Sequence, residues 1–429
     1  MNEVLFCDLY ELTMAQQYIS MGVADRRASF EVFVRKFPAD RKAMVMAGLG
    51  EVMDMVGNGR MTCEDIFYLR GLGIPFPVPL EWIKNKPLFH DIEIEAIPEG
   101  TLFFENEPIL RVTGPMVKAQ LLETYILNAL GFAISVATKA SRMVVAAEGR
   151  TLSDFSPRRC QGIDAAMKTA KYSHLAGFAS TSNVEAAKQY GIPVTGTVAH
   201  SFITSCEDER EAFTRLLNGG VSTILLDTYD TKKAIQKLIV LNVAALRAVR
   251  IDSGDIDELS RYVRGVLDQN GLNYVKTIVS GDMDEYKIAK LVADKAPIDV
   301  FGVGTALGTC NDAPALGITY KLVDFCCEER MKFSEGKATL PGRKQIYRNK
   351  KTDTDTLGLM SETHLDFQYG GLLQPVSHGY RTISFERGME DKEYADKLMG
   401  IREQKVVPSS GLISLTEMCE ARIKRRNGL

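Results

Sequence analysis

The chain has 429 residues, of which 45% are hydrophobic and 25% charged, and its formal net charge is −3. This composition is that of an ordinary globular protein, and the weak net charge argues against a nucleic-acid-binding protein, which usually presents a basic face. The eight cysteines are scattered without a C-x-x-C pair, and the N-terminus lacks a basic, apolar signal pattern. We therefore expect reduced thiols, no resident metal site and a cytoplasmic location.

The first part of the chain predicts a helix followed by a β-rich domain. Residues 3–22 have the spacing of a helix that Gly22 ends, and residues 28–37 alternate in polarity as a strand does. Between residues 92 and 112, short apolar runs separated by Gly and Pro predict hairpins without intervening helices. We assign residues 1–117 to an N-terminal helix and a β-rich open-sandwich domain.

From about residue 118, predicted strands alternate with helices. The candidate strand ends lie at residues 152–155, 177–181, 194–199, 223–227, 249–252, 278–282 and 300–304. Short crossovers between successive strands favour a parallel sheet. The predicted fold class is α/β, with an irregular parallel α/β barrel over residues 118–320 beside the β-rich open-sandwich domain. One strand fewer than eight leaves an open and a closed barrel as alternatives.

Local signals add detail on either side of these strands. Ser182 with Glu185, and Asp282 with Glu285, have the spacing of helix capping boxes. Residues 321–429 are assigned to a C-terminal segment, with a hairpin over residues 332–348 that returns to the sandwich domain and a charged helical tail from about residue 386.

Polar, aromatic and glycine residues gather at the predicted strand ends. The carboxyl ends of parallel strands form the active-site face of an α/β barrel, so we treat these residues as one candidate site. In chain order they are Phe155 with Arg158 and Arg159, Ser182 with Asn183, His200, Asp227 with Asp230, Arg250 with Asp252, Ser253 and Gly254, Gly281 with Asp282, and Gly302 with Gly304 and Thr305.

These residue types together indicate a site for a sugar phosphate and an aromatic acid. Guanidinium groups bind carboxylate or phosphate, glycine turns let backbone N–H groups approach a phosphate, carboxylates hold ribose hydroxyls or hydrated Mg²⁺, and an aromatic ring stacks on a heterocycle. Singly, each has an ordinary structural explanation: His200 as a structural histidine, Asp227 as a helix cap, or Arg158 and Arg159 as a solvated pair. Their gathering at one barrel face favours function.

Several motifs, in order along the chain, resemble nicotinate phosphoribosyltransferases of the type II phosphoribosyltransferase superfamily. They are residues 8–14, 30–36, 47–49, 154–159, 181–183, 196–201, 250–255, 301–305 and 341–345. The resemblance covers most of the chain. Ser180 stands where the family usually has Gly, and Val198 where Met is common, but neither departure removes a chemical group.

The resemblance implies an enzyme that joins nicotinate to phosphoribosyl pyrophosphate in NAD biosynthesis, with ATP as co-substrate and Mg²⁺ bound to phosphoribosyl pyrophosphate or ATP. It implies catalytic roles for His200, which would be phosphorylated, and for Asp227, Arg250 and Asp252. The substrate-binding residues that it implies are Tyr10, Phe155, Arg158, Ser182, Asn183, Ser253, Gly254, Gly281, Asp282, Gly302, Gly304 and Thr305. It also implies a homodimer with shared active sites, in which the partner subunit's Tyr10 would face Phe155 across the pyridine ring. No nucleic acid or membrane partner is expected.

Two alternatives remain at this point. A nicotinamide phosphoribosyltransferase would be favoured by an acidic residue at position 182, where this chain has Ser182. A non-catalytic sugar-phosphate-binding protein on the same fold would be indicated by loss of His200, Arg250 or Asp252, and all three are present.

Overall fold

The computed structural model describes residues 4–38, 40–72, 87–349, 351–365, 370–377 and 392–428. The chain divides into two compact units: Met1–Ser135 with Ala315–Leu429, which we call the β-rich unit, and Val136–Pro314, which we call the barrel unit. Both boundaries differ from those expected from the sequence. Residues 118–135 belong to the β-rich unit because their apolar side chains, such as Ile126 and Leu130, join its core. Residues 318–325 pair with residues 27–34, so this part of the chain also belongs to the β-rich unit.

The β-rich unit is built on a six-stranded antiparallel sheet, in the order β13-β12-β1-β5-β3-β16. Its strands are β1 (Arg27–Val34), β3 (Glu93–Ala96), β5 (Leu110–Pro115), β12 (Ile318–Phe325), β13 (Glu328–Glu329) and β16 (Gln374–Pro375). Two smaller sheets contain β2 (Met44–Val45) with β4 (Leu102–Phe103), and β14 (Lys344–Asn349) with β15 (Thr354–Leu359) and β17 (Lys405–Pro408). The helices are α1 (Leu9–Ser20), α2 (Leu49–Asn58), α3 (Cys63–Gly71), α4 (Met116–Gln120), the first half of α5 (Glu123–Ala146), α14 (Lys392–Leu398) and α15 (Ser410–Asn427).

A buried ion cluster lies within the core of the β-rich unit. The fully buried Glu31 carboxylate lies 3.1 Å from Arg111 Nε and 2.7 Å from Lys344 Nζ. Burial alone would favour the neutral acid, but the charges of Lys344 and Arg111 hold the pKa of Glu31 below its usual value. The 341–345 motif therefore supplies a structural cation to the sheet through Lys344.

The barrel unit holds six parallel strands in the order β7-β6-β11-β10-β9-β8, curled into half a barrel. The strands are β6 (Thr151–Asp154), β7 (Ser180–Thr181), β8 (Thr223–Leu225), β9 (Ala248–Ile251), β10 (Lys276–Val279) and β11 (Val300–Val303). Its helices are the second half of α5, α6 (Ile163–Leu175), α7 (Val184–Tyr190), α8 (His200–Thr204), α9 (Glu209–Asn218), α10 (Thr231–Ile239), α11 (Ile256–Gln269), α12 (Glu285–Ala293) and α13 (Thr305–Thr309). The predicted α/β class, with a parallel barrel and a β-rich domain, is confirmed, and among the described strands the barrel is open.

Some local predictions are wrong. Residues 194–199 do not form a strand: Val194 makes one bridge to Thr181, which is the last residue of β7, so the neighbouring strand offers no further partner. His200 consequently begins α8 rather than ending a strand. The N-cap of α7 is Asn183, not Ser182, and that of α12 is Asp284, not Asp282. Each of these residues directly precedes the first residue of its helix, so its side chain can accept a hydrogen bond from a backbone N–H of the first turn.

The termini also differ in detail from the predictions. The first helix spans Leu9–Ser20 rather than 3–22, since Asp8 caps its start. The C-terminal hairpin pairs β14 with β15, downstream of the expected 332–348. Of the predicted tail, residues 386–391 lie outside the described residues, and β17 separates α14 from α15.

The stretch Met116–Ala146, which includes α4 and α5, is long and apolar enough to cross a membrane by length and composition. Of its most apolar window, 56% is buried inside the protein. A helix in the core of a globular protein can have the same length and composition, and the burial of this stretch is that of such a core helix.

The start of α5 is joined to the start of α1 by a buried carboxyl group. Glu11 is fully buried, and it accepts hydrogen bonds from Asp8 N, Thr124 N and Thr124 Oγ1. Its Oε2 is buried with no hydrogen-bond partner among the described residues. Burial raises the pKa of Glu11 to about 7, although the hydrogen bonds from Thr124 oppose the rise.

We expect Glu11→Gln to weaken the pH dependence of stability. An unfolded glutamate titrates near pH ~4.3, so between roughly pH 4 and 7 the folded state holds a proton that the unfolded state has lost. The contribution of Glu11 to stability is thus lost as pH rises through this window. Thermal unfolding at pH 5 and pH 8 should show a smaller difference in Tm for Glu11→Gln than for wild type. The exposed Glu417→Gln is the matched control, and equal pH dependence in all three proteins would contradict the assignment.

Candidate active site

The barrel strands end at the same level, and the candidate residues follow their ends directly. In register, Asp154 of β6 lies beside Thr181 of β7 and Val303 of β11, and Val279 of β10 lies beside Ile251 of β9. Backbone hydrogen bonds continue one residue further, from Phe155 N to Val303 O and from Ser182 N to Asp154 O. The parallel sheet therefore brings separate parts of the chain to one edge, as the sequence predicts.

Arg250 lies at the centre of a hydrogen-bond network on this edge. Its Nε donates to Ser280 Oγ at 2.9 Å, its Nη1 to Thr197 Oγ1 at 2.7 Å and its Nη2 to Asp252 Oδ1 at 2.6 Å. The side chain is only 12% exposed. A guanidinium has five N–H groups, so two remain for a bound anion while the other three fix its plane.

Asp252 is held in its ionised form within this network. Burial disfavours the carboxylate, but hydrogen bonds from Ser280 and Arg250, with the nearby His200, hold the pKa of Asp252 below its usual value. The group is therefore a carboxylate at neutral pH, able to face a developing positive charge.

The ring of Phe155 lies against Gly302 and near the Arg250 guanidinium. The guanidinium carbon is 5.5 Å from the ring centroid, within cation–π range. A Cβ on Gly302 would lie 2.5 Å from two carbons of the ring, so only glycine lets the ring occupy this place. The resulting arrangement sets an aromatic face beside a cation.

The loop after β10 also requires glycine. Gly281 has a φ of +91°, and a Cβ there would lie 2.1 Å from the Asp252 carbonyl oxygen. The backbone that follows β10 therefore passes directly against the backbone of Asp252, which follows β9. Gly304, directly after β11, differs in this respect, since a Cβ there would meet the Phe155 carbonyl oxygen only at an ordinary contact distance of 3.6 Å.

His200 and Asp227 lie on the β8 side of the same edge. His200 Nδ1 is 3.1 Å from Thr228 Oγ1, and His200 is among the groups that hold the pKa of Asp252 below its usual value. Asp227 Oδ2 accepts a 2.5 Å hydrogen bond from Ser253, whereas its Oδ1 is buried with no hydrogen-bond partner among the described residues. One carboxylate oxygen of Asp227 is thus held by Ser253 and the other has no described partner.

Other predicted residues have a local structural role or no contact within the network. Asn183 caps α7 through Ala186 N, and Asp230 caps α10 through Lys233 N. The Ser182 hydroxyl makes no hydrogen bond among the described residues, although Ser182 is tied to β6 through its backbone.

The remaining predicted residues are distributed as follows. Arg158 and Arg159 are exposed in a single 3₁₀ turn after β6, without an ion pair in the described structure. Asp282 is exposed, Gly254 takes a φ of +87°, and Thr305 begins α13. Tyr10, 45% exposed on α1, belongs to the β-rich unit rather than to the barrel unit.

Sequence reasoning missed three hydroxyl residues that orient the site. Thr197 and Ser280 hold Arg250, and Thr228 contacts His200. Each lies within three residues of a predicted site residue. This nearness in the sequence was the signal that could have identified them. Among the described residues, no group of three or more His, Cys, Asp or Glu side chains could hold a metal ion.

An open parallel barrel with a cation, carboxylates, a histidine, an aromatic ring and glycine turns at its strand ends defines an α/β-barrel enzyme that handles an anionic substrate. Comparison with known proteins gives the family. The model of the nicotinate phosphoribosyltransferase N-terminal domain matches residues 5–131, and that of the nicotinate phosphoribosyltransferase family matches residues 150–366.

Relatives match over most of the chain. Nicotinate phosphoribosyltransferase pncB2 of Mycobacterium tuberculosis is 45% identical over 410 residues, covering 93% of this chain and 85% of the relative. Nicotinate phosphoribosyltransferase of Bacillus subtilis is 36% identical, covering 87% and 79%. The crystal structure of human nicotinic acid phosphoribosyltransferase is 26% identical with a TM-score of 0.76, covering 96% of this chain and 99% of the other.

The chain belongs to the nicotinate phosphoribosyltransferase family. It is therefore an enzyme of the phosphoribosyltransferase class, as its motifs indicate.

Proposed function

We propose that the protein joins nicotinate to phosphoribosyl pyrophosphate, giving nicotinate mononucleotide and pyrophosphate with ATP hydrolysis, in NAD biosynthesis in the cytoplasm. The observation that carries this proposal is the Phe155 ring, held by Gly302 beside the Arg250 guanidinium. A flat aromatic acid needs both groups: a ring face for its heterocycle and a cation for its carboxylate.

The carboxylate side of the nicotinate pocket rests on Arg250 and Ser182. Arg250 keeps two N–H groups after its contacts with Thr197, Ser280 and Asp252. The Ser182 hydroxyl has no competing hydrogen bond within the described structure. An anionic ring substituent would use these donors, while a neutral amide would gain less from the guanidinium charge.

The phosphoribosyl side rests on carboxylates and glycine turns. The unpartnered Asp227 Oδ1 fits a cation, which supports phosphoribosyl pyrophosphate binding as its Mg²⁺ complex. The turn at Gly304 and Thr305, directly after β11 and Gly302, offers backbone N–H groups to the 5′-phosphate, and the exposed Arg158 offers a guanidinium to an anionic oxygen. We therefore propose that the Asp227 carboxylate binds the Mg²⁺ complex of phosphoribosyl pyrophosphate together with residues 252–254.

The residues act on the charges that develop as the bond from ribose C1′ to pyrophosphate breaks. The ribose becomes positive, and the ionised Asp252 stabilises it electrostatically. The departing pyrophosphate becomes more negative, which Arg158 and backbone N–H groups favour. The nicotinate nitrogen is already nucleophilic, so the contacts of Phe155 and Arg250 need only orient it toward C1′. His200 is proposed as the residue that ATP phosphorylates.

A direct assay tests the proposal. Purified protein is incubated with Mg²⁺, phosphoribosyl pyrophosphate, ATP and either nicotinate or nicotinamide, and the mononucleotides are separated by chromatography. We expect nicotinate mononucleotide from nicotinate. If mononucleotide forms with nicotinamide but not with nicotinate, the protein is a nicotinamide phosphoribosyltransferase. If the ligands bind but no mononucleotide forms with either, the protein is a non-catalytic sugar-phosphate-binding protein.

We expect Ser182→Asp to reverse the choice between the two ring substrates. An aspartate would repel the nicotinate carboxylate and could accept the amide N–H₂ of nicotinamide. The loss in kcat/KM for nicotinate should exceed the roughly 1–3 kcal/mol of a packing change. Ser182→Asn, which has similar size and no charge, is the control and should lose much less. An unchanged ratio of kcat/KM for the two substrates in Ser182→Asp would refute this electrostatic account.

The proposed dimer predicts that activity depends on Tyr10 in trans. If the partner subunit's Tyr10 completes each pocket, a mixed dimer of Tyr10→Ala and Asp252→Ala subunits has one site with both defects and one with neither. Each variant alone should be nearly inactive, and mixing under subunit exchange should restore part of the activity. Exchange is checked by native mass spectrometry. If verified mixed dimers stay inactive, or if a stable monomer is fully active, the shared site is excluded.

A further inference from the structure

Two adjacent cysteines form the tip of a hairpin in the β-rich unit. Phe325, the last residue of β12, pairs with Glu328, the first of β13, so that Cys326 and Cys327 are the whole connection. Their φ angles are +56° and +61°. Positive φ at both central residues makes this a type I′ turn, the two-residue connection that suits the twist of paired strands.

Cysteine is not a residue that this turn favours. Type I′ turns are dominated by Asn-Gly and similar pairs, because Gly lacks a Cβ and Asn tolerates positive φ better than other residues that have one. Both cysteines are exposed, so burial of their side chains does not offset that strain. A strained position that packing does not explain points to a function of the side chains themselves.

The backbone of the turn is joined to the neighbouring strand β1 at its first residue. Cys326 N donates to Arg27 O at 3.0 Å. Arg27 is itself held by a 2.6 Å ion pair with Glu93. Two adjacent, exposed thiols are thus carried by one two-residue turn.

We propose that Cys326 and Cys327 form a dithiol site for trivalent, thiophilic metalloid species, of which a mono-organyl arsenic(III) compound is the chemical type. Such an arsenic centre has two valences to fill, and the turn offers two sulfur atoms. Zinc instead takes four protein ligands in structural sites. With an arsine oxide, R–As=O, the two thiols each form an S–As bond, the As=O bond is broken, and the oxygen leaves with the two thiol protons as water. Arsenic stays trivalent, so no oxidant or reductant is needed.

Chelation by both thiols distinguishes this site from a single reactive cysteine. Once one sulfur has bound, the second acts at the high effective concentration of a directly linked group, which strengthens binding on the order of 10²–10⁴-fold. A monothiol such as glutathione should therefore fail to remove the arsenical, whereas a dithiol such as dithiothreitol should remove it.

The test uses the full chain and phenylarsine oxide as the probe. Intact-mass spectrometry should show one adduct that survives excess glutathione, and peptide mapping should place it on Cys326 and Cys327. Cys326→Ser and Cys327→Ser should each bind roughly 100-fold more weakly. Cys63→Ser, which removes an exposed cysteine on α3, is the matched control and should bind like wild type.

A double variant separates loss of the thiols from loss of the fold. Replacing the pair by Cys326→Asn with Cys327→Gly installs the residues that a type I′ turn prefers, so we expect a higher Tm together with no glutathione-resistant adduct. The proposal is overturned if either single serine variant binds as tightly as wild type, or if the adduct maps to other cysteines. Neither outcome depends on the proposed catalytic activity, because the readout is binding alone.

Discussion

Replacing His200 by alanine is expected to abolish nicotinate-stimulated ATP hydrolysis and to leave a slow, ATP-independent transfer. A histidine imidazole near neutrality is a competent phosphoryl acceptor. His200 Nδ1 contacts Thr228 Oγ1 at 3.1 Å, which orients the ring and leaves Nε2 as the other nitrogen. Glycosyl transfer itself needs no protein nucleophile, since the pyridine nitrogen attacks ribose C1′, so the loss should fall on ATP coupling.

The measurement is ATP hydrolysis with and without nicotinate, together with mononucleotide formation with and without ATP. Wild type should also incorporate acid-labile, base-stable label from γ-labelled ATP. Thr228→Val keeps the imidazole and removes the hydroxyl that contacts it, so it should reduce phosphorylation less than His200→Ala does. Label that persists undiminished in His200→Ala would show that another residue accepts the phosphoryl group.

Asp252→Asn is expected to lower kcat/KM for phosphoribosyl transfer on the order of 10²–10³-fold, the scale of removing one preorganised electrostatic group. The amide keeps the shape of the side chain but loses the charge that, in the proposed mechanism, stabilises the ribose. It also leaves Arg250 without the carboxylate 2.6 Å from its Nη2, so the guanidinium loses its partner in the network. Both effects act on the same reacting centre.

Ser280→Ala is the matched comparison for this variant. It removes the hydroxyl that bonds both Arg250 and Asp252 while leaving the Arg250–Asp252 ion pair in place. We expect a smaller loss than in Asp252→Asn, because the charge on position 252 is retained. Steady-state kinetics with both substrates varied would test this order, and an Asp252→Asn enzyme that keeps wild-type kcat/KM would remove Asp252 from the proposed mechanism.

The residues at strand ends could be predicted because their signal is local. Apolar strand segments that stop at polar or glycine residues, followed by helical sequence, identified the ends of β6, β9, β10 and β11 within one to three residues. Local patterns were less reliable where neighbouring residues could serve the same role. Ser182 and Asn183 are both acceptable N-caps, and only the path of the chain decides that Asn183 bonds Ala186 N.

By itself, the sequence determined the α/β class, the family motifs and most of the residues that line the strand ends. The tertiary structure decided which of them touch. Arg250 meets Thr197, 53 residues away in the chain, and the Phe155 ring requires Gly302 because β6 lies beside β11 in the sheet. Strand order depends on how all the apolar faces are buried together, and no short segment of sequence carries that information. The partners of Arg250, and the lack of a described partner for Asp227 Oδ1, are therefore properties of the folded sheet.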